Sequence, residues 1–203
     1  MPSLVGSEMC IRDRTYTVSP YLLRDEVKHF LRSFFNAFAA CWRADIRSMT
    51  EHPLPTLCDW AGDHFKSSDE SMVLLNLRAM FIREEGEDLY LAQAIPKGWL
   101  KPGGSIYIRN AATHFGPMTL EIHVAGDAQS ITVKVEPPTR SSPRRILLRL
   151  RHRMGWELEE ALLDGERLEE SRIDRVREWI QFEPLTRPFE VQAKYRREES
   201  PKR

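Results

Sequence analysis

Between residues 50 and 70 the chain concentrates side chains able to move protons and hold a polar ligand: Glu51, His52, Trp60, Asp63, His64 and Lys66. Two carboxylates near imidazoles and an amine are the material of general acid–base chemistry, in which one carboxyl holds a proton while the other stays ionised. Asp63 is the first candidate for such work, because His64 and Lys66 sit where they can shift its pKa, and Glu51 is the second. Each residue also has a plain structural reading. Asp63 would equally hold the turn at Gly62, His52 would pack on loop backbone, and Trp60 would fill a core. Asp69 and Glu70 fall in the first turn of a helix, where the macrodipole favours negative charge without any chemistry.

Other chemistries are excluded by spacing. His52 and His64 stand far apart on a segment interrupted by Pro53 and Pro55, with no i,i+4 histidine pair, so no metal is expected. No G-x-S-x-G, P-loop or dinucleotide fingerprint is present, and no cofactor is expected. Thirty basic residues balance thirty acidic ones, which leaves no net field to attract nucleic acid. The arginines between 140 and 153 alternate with Ile146, Leu148 and Leu150, as on the solvent face of a strand. Cys41 and Cys58 lack metal or redox spacing and read as buried thiols. Every apolar run is far shorter than the ~20 residues that span a bilayer, so no membrane partner is expected.

The elements that must position residues 50–70 are helical. Leu23, Val27, Phe30, Phe34, Phe38 and Cys41 recur at spacings of three and four and predict a helix over 21–43. Ser67 followed by Glu70 fits a capping box that starts a second helix running to about residue 84. That helix carries Met72, Val73, Leu74, Leu75, Leu77, Met80 and Phe81 on all sides, so it requires neighbours nearly all round. A short third helix is expected within 89–100. After Pro102-Gly103-Gly104 the period falls to two, as in Met118, Leu120, Ile122 and Val124 and again in Ile131, Val133 and Val135. Further strands are expected at 145–151, 156–163, 178–182 and 189–195, punctuated by turn residues at the rhythm of an antiparallel sandwich.

Residues 3–14 resemble a translated sequencing adapter, so residues 1–14 are set aside as artefactual and disordered. Residues 15–100 form the helical segment, 101–196 the β-sandwich and 197–203 a frayed tail. Two long helices and a short one cannot cover the apolar face of residues 71–82. Either further helices of the same chain are missing, or a homodimer covers that face. With the natural start in doubt, both cytoplasmic and exported locations stay open.

Four segments carry a resemblance: Thr50-Glu51-His52-Pro53, residues 62–70, Leu89-Tyr90-Leu91-Ala92-Gln93-Ala94-Ile95-Pro96, and Ile108-Arg109-Asn110-Ala111-Ala112-Thr113-His114-Phe115-Gly116-Pro117. Together they resemble the C-terminal end of bacterial six-hairpin glycosidase-like proteins, an (α/α)6 toroid followed by an antiparallel β-sandwich, hence an α+β multidomain chain. The resemblance covers nearly all of residues 15–195. It implies that the last toroid helices lie within 21–85 and that the loop between them reaches the mouth where sugars bind. Glycoside hydrolysis uses a protonated carboxyl and a second carboxylate. On that basis Asp63 and Glu51 are the catalytic candidates, and His64, Lys66, Trp60 and His52 the substrate-binding ones. A hydrolase piece, inactive alone, is the leading expectation. A non-catalytic sandwich that binds glycans or simply buttresses the barrel, and a polysaccharide lyase on the same toroid, are the alternatives. His114 is expected in a turn that packs against the helices.

Overall fold

The computed structural model describes residues 19–50 and 67–197. The fold is α+β and forms two compact units, Met1–Ala79 and Met80–Arg203. The division precedes the change of period near residue 101, because residues 82–91 are strands of the second unit.

In the first unit, α1 spans Ser19–Leu23 and α2 Val27–Cys41. The single helix expected over 21–43 is therefore broken. Asp25 adopts a positive φ of 59°, a conformation that non-glycine residues rarely take and that ends a helix. Arg24 then clamps Glu26 in a two-pronged pair at 3.0 and 3.1 Å. The break turns Leu23 outward, while Val27, Phe30, Phe34, Ala37 and Cys41 form the buried stripe of α2. The rings of Phe30, Phe34 and Phe38 follow one another at 6.1 and 6.2 Å, and Phe38 stacks on Trp42. A two-residue ladder, β1 (Trp42–Arg43) with β2 (Ser48–Met49), follows the helix. Thr50 then returns to cap it, both its N–H and its hydroxyl donating to the Cys41 carbonyl.

Helix α3 spans Ser67–Phe81 and stops short of residue 84, because Ile82 begins a strand. Asp69, Val73, Asn76 and Met80 are buried along one side of it, at helical spacing. Leu74 and Leu75 are 66% and 56% exposed, so part of its apolar surface is uncovered. Among the described residues, no helix is long and apolar enough to cross a membrane.

The second unit is a β-sandwich. Strands β3 (Ile82–Glu85), β4 (Asp88–Leu91), β8 (Arg145–Arg149), β11 (Ile173–Asp174) and β12 (Trp179–Phe182) form one sheet, in the order β11-β12-β8-β4-β3. The other comprises β5 (Ser105–Ala111), β6 (Met118–Val124), β7 (Ser130–Glu136), β9 (Glu157–Leu163), β10 (Glu166–Arg167) and β13 (Phe189–Arg196), ordered β10-β9-β13-β7-β6-β5. Alternation sets which side chains turn inward: Ile131, Val133 and Val135 from β7, Phe189, Val191, Ala193 and Tyr195 from β13, and Ile146 and Leu148 from β8. Phe182 and Phe189 meet edge to face between the two sheets, and the Tyr195 hydroxyl donates to the Leu150 carbonyl at 2.6 Å.

Residues 89–95 depart from the expected helix. Gly86, at φ +57°, turns the chain directly from β3 into β4. Leu89 and Leu91 are fully buried with Tyr90 half-exposed between them, which is strand alternation. A turn and a 3-10 segment, Lys97–Trp99, complete the stretch. β4 pairs with β8 in parallel, an exception to the antiparallel pattern. Asp88 fixes that register: it stands opposite Arg145 and binds the guanidinium groups of both Arg144 and Arg145.

Candidate functional site

The six candidates, Glu51, His52, Trp60, Asp63, His64 and Lys66, lie outside the described residues, as does Cys58. Their anchors are described. On one side, Thr50 is fixed to the end of α2 through its N–H (2.9 Å) and hydroxyl (3.3 Å) bonds to Cys41. On the other, Glu70 lies in the first turn of α3 and reaches back to the ladder. Its Oε1 accepts the Ser48 hydroxyl at 2.6 Å and the Met49 N–H at 3.4 Å.

The two ends of the segment are thus tied to each other by a charge-assisted hydrogen bond. The expected capping box gives way to this tie. Ser67 is already helical, and its carbonyl accepts the Ser71 hydroxyl at 2.7 Å. Glu70 satisfies donors 21 and 22 residues upstream instead of its own helix start. An energetic reason is that Ser48 and Met49 are buried and need acceptors, whereas a helix N-terminus can find water.

Cys41 and Asp69 complete the anchor. Burial, with the Asp69 charge adding to it, pushes the Cys41 thiol up to about 11, so it stays protonated and acts as an apolar filler. Asp69 is 4% exposed at the first turn of α3, where the macrodipole supports its charge.

His114 sits in the turn between β5 and β6. Its N–H donates to Glu84 Oε1 at 3.2 Å, its Nδ1 is 3.9 Å from the same oxygen, and its ring lies against Phe115. Within the second unit it therefore ties the β5–β6 turn to β3. The arginines of 140–153 are largely engaged within the unit. Arg144 and Arg145 hold Asp88, Arg149 lies 4.9 Å over Trp179, and Arg151 donates to the Ile95 carbonyl.

Sequence patterns gave no hint of His152, which is 1% exposed. Its Nε2–H donates to the Ala128 carbonyl at 2.9 Å, and its Nδ1 accepts the N–H groups of Met154 and Trp156. Burial lowers its pKa, and the ring is stacked on Trp156 and tilted against Tyr195, so it is a neutral core histidine. Among the described residues, no group of three His, Cys, Asp or Glu is arranged to hold a metal.

No protein-family model matches the chain, and no curated protein matches it. Among solved structures, a GH127 β-L-arabinofuranosidase from Geobacillus stearothermophilus is similar over 84% of this chain and 28% of its own, with 13% identity and a TM-score of 0.38. A second structure, described as a glycoside hydrolase, is similar over 84% of this chain and 29% of its own, with 10% identity and a TM-score of 0.42. The chain spans less than a third of the length of either.

Proposed function

We propose that this chain is the C-terminal part of a glycoside hydrolase, with residues 50–70 forming one wall of a sugar-binding cleft. The observation that carries the reading is that the described flanks of the stretch are tied to each other by the Ser48–Glu70 bond, with Thr50 fixed to Cys41 on one side. Flanks held together in this way bring both ends of a stretch rich in chemical side chains to one place, a common setting for functional loops. In this reading Asp63 or Glu51 protonates the leaving oxygen or activates water, while His64, Lys66 and His52 bind hydroxyls and Trp60 stacks on a sugar face. The partner carboxylate, if it is not in this pair, belongs to toroid helices outside these residues. Exposed Leu74 and Leu75 support the need for such helices or for a second copy.

The test uses the complete open reading frame that contains this segment, assayed on a panel of aryl glycosides that includes L-arabinofuranosides. The expected result is hydrolysis that Asp63→Asn or Glu51→Gln lowers in kcat by about 10²–10⁴-fold with a smaller change in KM. The 203-residue chain alone should show no turnover. Absence of hydrolysis by the complete protein, or full activity in both variants, overturns the reading. Hydrolysis by the chain alone, abolished by Asp63→Asn, overturns its incompleteness.

A further inference from the structure

On the outward face of the six-stranded sheet, a row of four residues crosses β5, β6, β7 and β13 in direct register: Tyr107 opposite Glu121, Glu121 opposite Lys134, and Lys134 opposite Glu190. With strands about 4.8 Å apart the row is roughly 14 Å long. A depression of about 360 Å³ opens along the part of it formed by Glu121, Lys134 and Glu190, bounded by the next row, Thr119 and Glu136, and by Asp164 and Pro188 on one side; Tyr107 stands one strand beyond its lining. That volume falls within the range of small-molecule sites.

The groups of the row and of the depression beside it divide into fixed and available. Glu121 is held by Arg109 at 2.9 and 3.0 Å, and the same guanidinium lies 4.2 Å over the Tyr107 ring, which is 57% exposed. Asp164 accepts the Glu190 N–H at 2.8 Å and pairs with Arg187 at 2.7 Å, which fixes the rim. Lys134, the cation among the lining residues, makes no ion pair among the described residues, and neither Glu136 nor the Glu190 carboxylate does. The sheet therefore presents an aromatic face, then an acceptor, a three-hydrogen donor and an acceptor, at strand spacing and on a rigid floor.

We propose that this row is a binding site for a neutral saccharide, separate from residues 50–70. A sugar offers C–H faces to an aromatic ring and hydroxyls that donate to carboxylates and accept from an ammonium. Carboxylates outnumber the one lysine, which disfavours phosphate, sulfate or uronate, and no metal-holding cluster is present among the described residues. One aromatic at the end of the row, and an open floor, set the expected affinity in the millimolar range. The choice of a saccharide over other polyols rests on the proposed function, whereas the location does not.

The experiment titrates the ¹⁵N-labelled chain with cellotriose and with methyl L-arabinofuranoside, following backbone amide shifts. The expected result is saturable shifts at Tyr107, Lys134 and Glu190, weakened at least fivefold by Tyr107→Ala, Lys134→Met and Glu190→Gln. An unchanged circular dichroism spectrum and melting temperature certify that each variant folds. Glu190→Gln is the safest of the three, since its side chain makes no hydrogen bond or ion pair among the described residues. No shifts up to about 50 mM ligand overturn the proposal, as does stronger binding of inorganic phosphate or Ca²⁺ at the row. Shifts confined to residues 48–50 and 67–70 also overturn it, while favouring the reading of residues 50–70. The fate of that reading is decided separately, by hydrolysis in the complete protein.

Discussion

Replacing Asp88 by Asn tests whether the parallel β4–β8 seam is held by one buried carboxylate. Asp88 is 5% exposed and takes Nε–H and Nη2–H bonds from Arg144 at 3.0–3.2 Å, an Nε–H bond from Arg145 at 2.8 Å and its Nη2 at 2.6 Å. Removing one partner of a fully buried pair costs about 3–5 kcal/mol. Here the Arg144 and Arg145 side chains are 63% and 37% exposed, so both charges rehydrate and the cost falls. Asn keeps the volume but turns an NH₂ toward two cations. The expected loss is about 2–3 kcal/mol at pH 7, or roughly 6–15 °C in the melting of a unit this size.

The assay is urea unfolding followed by near-ultraviolet circular dichroism, with Arg145→Gln and the double variant closing a thermodynamic cycle. A coupling of about 1–2 kcal/mol is expected. The sign of the pH dependence is fixed by the same contacts. Hydrogen bonding to Arg145, then to Arg144, holds the Asp88 carboxyl below its ordinary value against the opposing effect of burial. Its contribution is therefore complete above about pH 4 and is lost as pH falls through the lower folded-state value. The wild-type and Asp88→Asn curves should converge in acid. A loss under about 0.5 kcal/mol at pH 7, or a gap that persists in acid, would refute the reasoning.

Three further outcomes are expected. His152 is held neutral by burial, so the sandwich should lose stability as pH falls below about 6.5, by up to ~1.4 kcal/mol per pH unit until the depressed folded-state pKa is reached. His152→Phe should flatten that limb and, by orphaning the Met154 and Trp156 N–H groups, cost about 1–3 kcal/mol at pH 8; urea midpoints against pH decide both. Gly116→Ala should destabilise by about 2–4 kcal/mol in thermal melts. Gly116 has φ +119°, and a Cβ there would lie 3.1 Å from the Arg140 N and 3.2 Å from its Cβ. With its thiol at about 11, Cys41 should be roughly one part in a thousand thiolate at pH 8 and resist alkylation until urea unfolds the chain. Peptide mapping that finds Cys41 modified at the rate of an exposed thiol would contradict this.

The sequence by itself determined what depends on local period. The three-four spacing from Val27 to Cys41 forms the buried stripe of α2, and the alternation of residues 131–135 and 189–195 forms the inward faces of β7 and β13. Those patterns are set by the geometry of a helix and a pleat, which any neighbour must accept. The concentration of candidate side chains in residues 50–70 was equally plain, since it is a matter of composition and spacing.

What only the tertiary structure decided are the contacts between residues far apart in the chain. Residues 89–95 carry good helix formers, yet β8, more than fifty residues later, supplies a partner strand and a charge lock at Asp88, and burial of Leu89 and Leu91 outweighs propensity. Glu70 three residues after Ser67 looks like a cap, but buried Ser48 and Met49 claim it, because a buried donor costs more to leave unmet than a solvated helix end. The row from Tyr107 to Glu190 exists only because four strands from across the sandwich share one register. Register is chosen by the whole buried face, and so cannot be read from any one strand.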